Sequence, residues 1–147
     1  MARRKESPQK AAMREMMSVL LEGVLDQELD EELGYSKYDY RNKETDNSRN
    51  GHSTKTMHTS YGDMEMAVPR DRNGDYEPQL IKKYQTTVTQ DMEEKILSMY
   101  AKGMTTGDIE SHMKELYDID ISDSAISRIT DKILPIVKRS YTYAGYL

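Results

Sequence analysis

The sequence contains no cysteine, no tryptophan and no phenylalanine. The first absence excludes disulfides, thiolate zinc sites and a cysteine nucleophile. No run approaches the roughly 18 apolar residues that a membrane helix needs. The basic start Met1-Ala2-Arg3-Arg4-Lys5 is not followed by the apolar core of a signal peptide. A soluble, cytoplasmic protein with no membrane partner is therefore expected. Leu, Ile and Val together number only 24 of 147 residues. That is below the roughly 20% that accompanies disorder in strongly charged chains. Net charge is only −5, however, and 11 Met and 11 Tyr supply the missing bulk. Small, partly separate helical cores and one loose segment are expected. The length suits one compact domain or two very small ones. A cationic surplus is also missing, with 21 basic groups against 26 acidic ones. A net acidic chain is a poor starting point for a nucleic-acid binder.

The charge is unevenly placed. Residues 1–14 carry +4, 15–34 carry −7, 35–58 carry +2, 59–88 carry −1, 89–121 carry −5 and 122–147 carry +2. The acidic stretches coincide with the best helical patterns. The first pattern is Met13, Met16, Met17, Leu20, Leu21, Val24, Leu25 and Leu29, spaced by threes and fours on one helix face. Gly34 suits a C-terminal stop, and Gly23 costs about 1 kcal/mol inside the helix. Acidic residues at the C-terminal end oppose the helix dipole, so the last turn is expected to fray. The stripe has two readings, a core element or a dimerisation face.

From Tyr35 to Ser53 aliphatic residues are almost absent, which reads as a mobile basic arm. The period then becomes two. Met57, Thr59 and Tyr61 alternate, Gly62-Asp63 reads as a turn, and Met64, Met66 and Val68 alternate again. Pro69 is expected to end that strand, with a third short strand near Tyr76 or Leu80–Tyr84. The following Arg70-Asp71-Arg72-Asn73-Gly74 reads as a basic hairpin tip gripping phosphates, or as a solvated turn with an internal Arg–Asp pair. Arg3, Arg4, Lys5, Lys10 and Arg14 form an electrostatic arm or a disordered end.

Thr89–Arg139 carries the pattern of three short helices. The first runs from about Asp91 to Lys102 with Met92, Ile96, Leu97, Met99 and Tyr100 apolar, and Gly103 closes it. Thr105 opens the second, with Asp108 in a variant capping box and Ile109, Met113 and Leu116 inward. Ser122 or Asp123 caps the third, where Ile126, Ile129 and Ile133 face inward and Pro135 ends or kinks the helix. The fold class is thus mainly α with a small β-hairpin: an N-terminal amphipathic helix, a hairpin, then a tri-helical helix-turn-helix. Such units place the last helix in the DNA major groove. Opposite the isoleucine stripe lie Asp123, Ser124, Ser127, Arg128 and Asp131, with Lys132 near the backbone and Ala125 closer to the inner face. Arg128 can donate two parallel hydrogen bonds to a guanine edge. The segmental charge answers the opening objection, because the acidic helices can point away from DNA. A helical bundle for protein contacts is the competing reading.

Five ordered blocks carry a resemblance. They are Glu31-Glu32-Leu33-Gly34-Tyr35, Asn47-Ser48-Arg49-Asn50-Gly51, Val68-Pro69-Arg70-Asp71-Arg72-Asn73-Gly74 with Tyr76 and Pro78, Met99-Tyr100-Ala101-Lys102-Gly103-Met104-Thr105-Thr106, and Ser127-Arg128-Ile129-Thr130-Asp131-Lys132. From about Met13 to Lys138 the chain resembles the N-terminal region of Mutator-type transposases of bacterial insertion sequences. The resemblance implies binding to terminal inverted repeats in double-stranded DNA. It also implies a following catalytic domain of ribonuclease-H-like fold, whose three acidic residues hold two divalent metal ions. That domain is expected to be missing here, with residues 140–147 a tail outside the family pattern. Gly107 and Tyr76 depart from the pattern, where a charged or helix-favouring residue and a phenylalanine are usual.

The expected organisation is a helix over 1–34, an arm over 35–53, a hairpin module over 54–88, the DNA-binding domain over 89–139 and the tail. The expected DNA contacts are Ser124, Ser127, Arg128, Asp131, Lys132, Thr105, Thr106, Arg49, Arg70 and Arg72. No catalytic residue or cofactor is expected in the chain itself. His52, His58 and His112 read as solvated, no nucleophile elbow occurs, and divalent metal belongs to the catalytic domain. Other partners would be a second copy or a full-length transposase. The alternatives are a stand-alone helix-turn-helix regulator or inhibitor of transposition, and a protein-interaction module built on the acidic first helix.

Overall fold

The computed structural model describes residues 7–34, 45–101 and 122–143. These contain α1 (Pro8–Leu33), β1 (Arg49–Thr59), β2 (Gly62–Asp71), α2 (Gln90–Ala101) and α3 (Asp123–Tyr143). The mainly helical class with one hairpin is observed. The expected middle helix of the helix-turn-helix, with Thr105, Thr106, Ile109, Met113 and Leu116, lies outside the described residues. So do His112, residues 35–44 of the arm and Arg3, Arg4 and Lys5.

α1 begins where Ser7 accepts a hydrogen bond from the Lys10 N–H at 3.2 Å and Pro8 occupies the first turn. It ends at Gly34, whose φ of 77° brings its N–H to the Asp30 carbonyl at 2.9 Å. Only glycine enters that left-handed conformation without strain. The helix stays intact to Leu33 rather than fraying, because Glu28 and Asp30 near its end are partnered by other elements. Met13, Met16, Met17, Leu20, Leu21, Val24, Leu25 and Leu29 are all buried. Each fully buried side chain of this size contributes about 1.5–3 kcal/mol. The stripe is covered by the chain's own hairpin, α2 and α3, the core-element reading of it.

β1 and β2 pair antiparallel, with Met57 opposite Met64 and Thr59 opposite Gly62. The turn is Ser60-Tyr61, not Gly62-Asp63; Gly62, at φ 105°, opens β2. Thr59 Oγ1 accepts from the Tyr61 N–H at 3.0 Å and donates to the Gly62 carbonyl at 2.7 Å, which locks the turn. Met57, Met64 and Met66 face the core. The strands extend beyond the expected limits. β1 already starts at Arg49, inside the segment read as an arm, and β2 passes through Pro69 to Asp71. Pro69 is tolerated because each strand of a two-stranded sheet is an edge, and the register shifts between Arg49 and His52.

No third strand forms among the described residues at Tyr76 or Leu80–Tyr84. Instead Thr86–Val88 runs beside β1: the His58 N–H reaches the Thr86 carbonyl at 2.7 Å, and the Val88 N–H reaches the His58 carbonyl at 3.0 Å. Thr89 caps α2 by accepting from the Met92 N–H at 3.3 Å. Of its apolar positions, Ile96 is buried, whereas Leu97 is 41% exposed.

α3 is capped by Ser122, whose hydroxyl accepts from the Ala125 N–H at 3.2 Å. Ile126, Ile129 and Ile133 are buried as a stripe, and Ile136 and Val137 extend it. Pro135 lies inside α3 and does not end it. α3 packs antiparallel to α1: Arg139 reaches Glu15 at 2.9 Å, and Ile129 sits over Gly23. One core joins α1, the hairpin, α2 and α3, in place of two separate small cores. A satellite of Leu29 and Leu33 packs on Tyr76.

Candidate nucleic-acid interface

The outer face of α3 is built by the helical period itself. With Ile126, Ile129 and Ile133 inward, Ser124, Ser127, Arg128, Asp131 and Lys132 are exposed, and Ala125 is buried. All five expected contacts on this helix therefore lie on one solvent-facing side. Thr105 and Thr106 fall outside the described residues.

Arg49 is not a free arm residue. It forms an ion pair with Asp30 of α1, and both side chains are largely covered. Arg128 also acts on Asp30 electrostatically. Burial pushes the Asp30 carboxyl above its ordinary value, and its neighbour Asp26 adds to this. The two arginines pull the other way without cancelling it. Thus Asp30 is ion-paired with Arg49 and also feels the charge of Arg128, 79 positions further along the sequence than Arg49. His52 lies 3.6 Å from Asp26 on the same side of α1.

Residues 70–74 do not form the hairpin tip. They sit at the opposite, open end, where Arg72 N–H bonds to the Ser48 carbonyl at 2.8 Å. Asp71 makes no internal pair with arginine. Its Oδ2 accepts from Asn47 Nδ2 at 2.8 Å and from the N–H groups of Asp75 and Tyr76 at 2.7 and 3.2 Å. Burial alone would raise this carboxyl. The hydrogen bonds outweigh it and hold the group below its ordinary range. Asn47 Oδ1 in turn accepts from the N–H groups of Ser48 and Asn73. This network fixes the backbone that carries Arg49, Arg70 and Arg72. The Arg70 guanidinium lies across the hairpin over Gly51, and both Arg70 and Arg72 are exposed.

The acidic helix proves to be a set of anchors. Glu28 accepts from the Tyr76 hydroxyl at 3.0 Å and from the N–H groups of Gln79 and Leu80 at 3.0 and 2.9 Å. Burial, with Glu28 beside it, drives the Tyr76 hydroxyl far above its ordinary value. Glu22 accepts from the Ala67 N–H at 2.8 Å. Arg14, read as part of a basic arm, donates to the Tyr61 carbonyl at 2.9 Å. These pairings join residues about 50 positions apart, and no local pattern marks them.

Beyond the hairpin's open end lies a groove of about 800 Å³ lined by Lys55, Arg70, Lys82, Lys83 and Tyr84 among others. Lys82-Lys83-Tyr84, expected only as part of a third short strand, puts a basic pair beside an aromatic in this lining. His58 bonds to Asp63 at 2.7 Å, and both are exposed. Among the described residues, no three His, Asp or Glu side chains gather into a set able to hold a metal ion. No helix of the described residues is long and apolar enough to cross a membrane.

The sequence matches the family model "Transposase, Mutator family" over residues 2–142. That span is wider than the expected 13–138 and includes the start of the segment read as a tail. The chain is 41% identical over 123 residues to the transposase for insertion sequence element ISRM3 of Rhizobium meliloti, covering 84% of this chain and 30% of that protein. It is 32% identical over 117 residues to the transposase for IS905 of Lactococcus lactis, covering 80% and 30%. The transposase for IS256 in transposon Tn4001 of Staphylococcus aureus is 30% identical over 97 residues, covering 66% and 25%. The chain thus spans about 30% of the length of the first two of these relatives. On the family match and these relatives together, the chain belongs to the Mutator family of transposases.

Proposed function

We propose that this chain is the DNA-binding part of a Mutator-family transposase and recognises the terminal inverted repeats of its insertion sequence. The observation that carries the reading is the outer face of α3. Ser124, Ser127, Arg128, Asp131 and Lys132 share one exposed side of a helix whose other side is locked into the core. A rigid helix with an arginine and small hydroxyls on its free face suits direct readout in a major groove. In this reading residues 89–139 form a helix-turn-helix, with Thr105 and Thr106 as further DNA contacts.

The net charge of −5 does not oppose this. Glu22, Glu28 and Asp30 are half-buried and bound to other parts of the chain, and Glu15 pairs with Arg139, so part of the acidity of α1 is taken up within the fold. Cutting and joining belong to the catalytic domain of the family and are not assigned to any residue here. Oligomerisation, if it accompanies binding, does not use the apolar stripe of α1, which is covered within the chain.

A mobility-shift titration tests the reading. Wild type should bind duplexes bearing the element's ends at least tenfold more tightly than shuffled duplexes of equal length. Arg128→Ala should lose most of that preference, since one good bidentate contact is worth about 1–3 kcal/mol of discrimination. Equal binding of ends and shuffled DNA by wild type, or full preference in Arg128→Ala, refutes it.

A further inference from the structure

We infer that the groove at the open end of the hairpin is a second, sequence-independent DNA site that grips the phosphodiester backbone of duplex lying beyond the segment read by α3. The inference rests on the DNA-binding reading above, but on different residues.

The groove is made by folding the 76–85 segment back over the strands. Lys55 of β1 donates through Nζ to the carbonyls of Lys82 and Lys83 at 2.9 and 3.1 Å. Glu28 holds the start of the segment through the Gln79 and Leu80 N–H groups. Gln85 closes it by donating its N–H to the Lys82 carbonyl at 2.9 Å. Pinned at both ends, the segment presents Lys82, Lys83 and Tyr84 to solvent opposite Arg70.

The charge of the lining is one-sided. Lys55, Arg70, Lys82 and Lys83 face two carboxylates, Asp71 and Glu77. Asp71 is buried and occupied by three hydrogen bonds from Asn47, Asp75 and Tyr76. Among the described residues, neither Arg70, Lys82 nor Lys83 has an ion-pair partner. Three unpaired cations are thus held around a concave surface by a backbone that is itself fixed. Cations so placed meet phosphates with little further ordering, and phosphate contacts position a protein without reading sequence.

Tyr84 is 89% exposed beside the two lysines. An exposed ring of this kind supplies a hydroxyl donor to a phosphate oxygen. The other groove tyrosine, Tyr76, already spends its hydroxyl on Glu28 and packs on Leu29 and Leu33. Single-strand binders stack successive bases on several rings, and only one ring is offered here. The groove therefore favours duplex backbone over an unpaired strand.

The test is the salt dependence of binding to random-sequence duplex by the full chain, with Lys82→Ala/Lys83→Ala and the stronger Lys82→Glu/Lys83→Glu. Both side chains are exposed, so thermal midpoints should stay at wild type. Losing two phosphate contacts should lower the slope of log K against log salt by about 2 and weaken binding about tenfold near 0.15 M salt. The charge-reversed pair should lose more. The preference for element ends over shuffled duplex should be unchanged. A wild-type slope in both variants overturns the inference, as does a loss confined to single-stranded DNA. Failure of the α3 reading shows separately, as a lost end preference in wild type while the lysine effect on random duplex persists.

Discussion

Gly23 of α1 lies directly under Ile129 of α3: a Cβ added at residue 23 would fall 2.3 Å from Ile129 Cδ1 and 2.7 Å from Cγ1. The absent side chain lets the two helices approach, and that approach fixes the face of α3 turned to solvent. The helix-propensity cost of Gly23, about 1 kcal/mol, is offset by burial of the isoleucine stripe. Gly23→Ala should destabilise the chain by about 1 kcal/mol, because overpacking at a cost of about 1–3 kcal/mol outweighs the propensity gain. In a double-mutant cycle measured by urea unfolding, Gly23→Ala/Ile129→Ala should be more stable than the sum of the single changes predicts. Additive effects would place the helices further apart than described.

Asp71 should govern stability on the acid side. Its folded-state carboxyl titrates below its ordinary value of 3.8. A depressed acid adds stability that is present above the unfolded-state value and fades as pH falls through the folded-state one. Asp71→Ala should therefore cost about 1–3 kcal/mol at pH 7, since Asn47 and the N–H groups of Asp75 and Tyr76 lose a charged acceptor. The gap from wild type should narrow below about pH 4. A pH-independent gap in denaturant midpoints would contradict the network.

Asp30 carries the opposite sign. Burial raises its carboxyl, so its own titration favours the folded state at acid pH and opposes it above. It is also ion-paired with Arg49 and acts electrostatically on Arg128. Asp30→Asn should raise affinity for random duplex about threefold at low salt, because a carboxylate competing with phosphate for these arginines is removed. Unchanged affinity in a filter-binding titration would show that neither arginine faces DNA.

Pro135 sits inside α3 on its exposed side. It cannot donate a hydrogen bond to the Asp131 carbonyl, and proline in a helix interior costs about 3 kcal/mol relative to alanine. Part of that is returned by a stiffer unfolded chain. Pro135→Ala should raise the thermal midpoint and leave end binding intact. A lower midpoint would mean that Pro135 shapes the packing of Ile136 and Val137.

The helices were legible because burial selects a face at periods of three and four. The Met13–Leu29 stripe and Ile126, Ile129 and Ile133 are buried as their spacing requires. The hairpin was only half legible. Its inner half alternates, but Arg49–Thr56 is polar on both faces and none of its residues is buried, so period two has no apolar signal to show. The anchors Glu22, Glu28 and Asp30 were invisible, since a carboxylate bound to a distant N–H looks in sequence like any solvated acid. Gly23 reads as a helix flaw in sequence because Ile129, the side chain above it, lies 106 positions away. Lys82-Lys83-Tyr84 is visible as a run, but the groove around it is not, since Lys55 and Lys82 are neighbours only after folding. The family membership came from ordered blocks, which need no geometry.

The most direct measurement of the central claim is methylation interference on the element's ends. Methyl groups at guanine N7 occupy the major groove. With wild type, methylation at one or more discrete guanines in each end should block binding, and Arg128→Ala should no longer sense those guanines. Interference at no guanine, or an identical pattern in Arg128→Ala, would contradict recognition of the ends by α3.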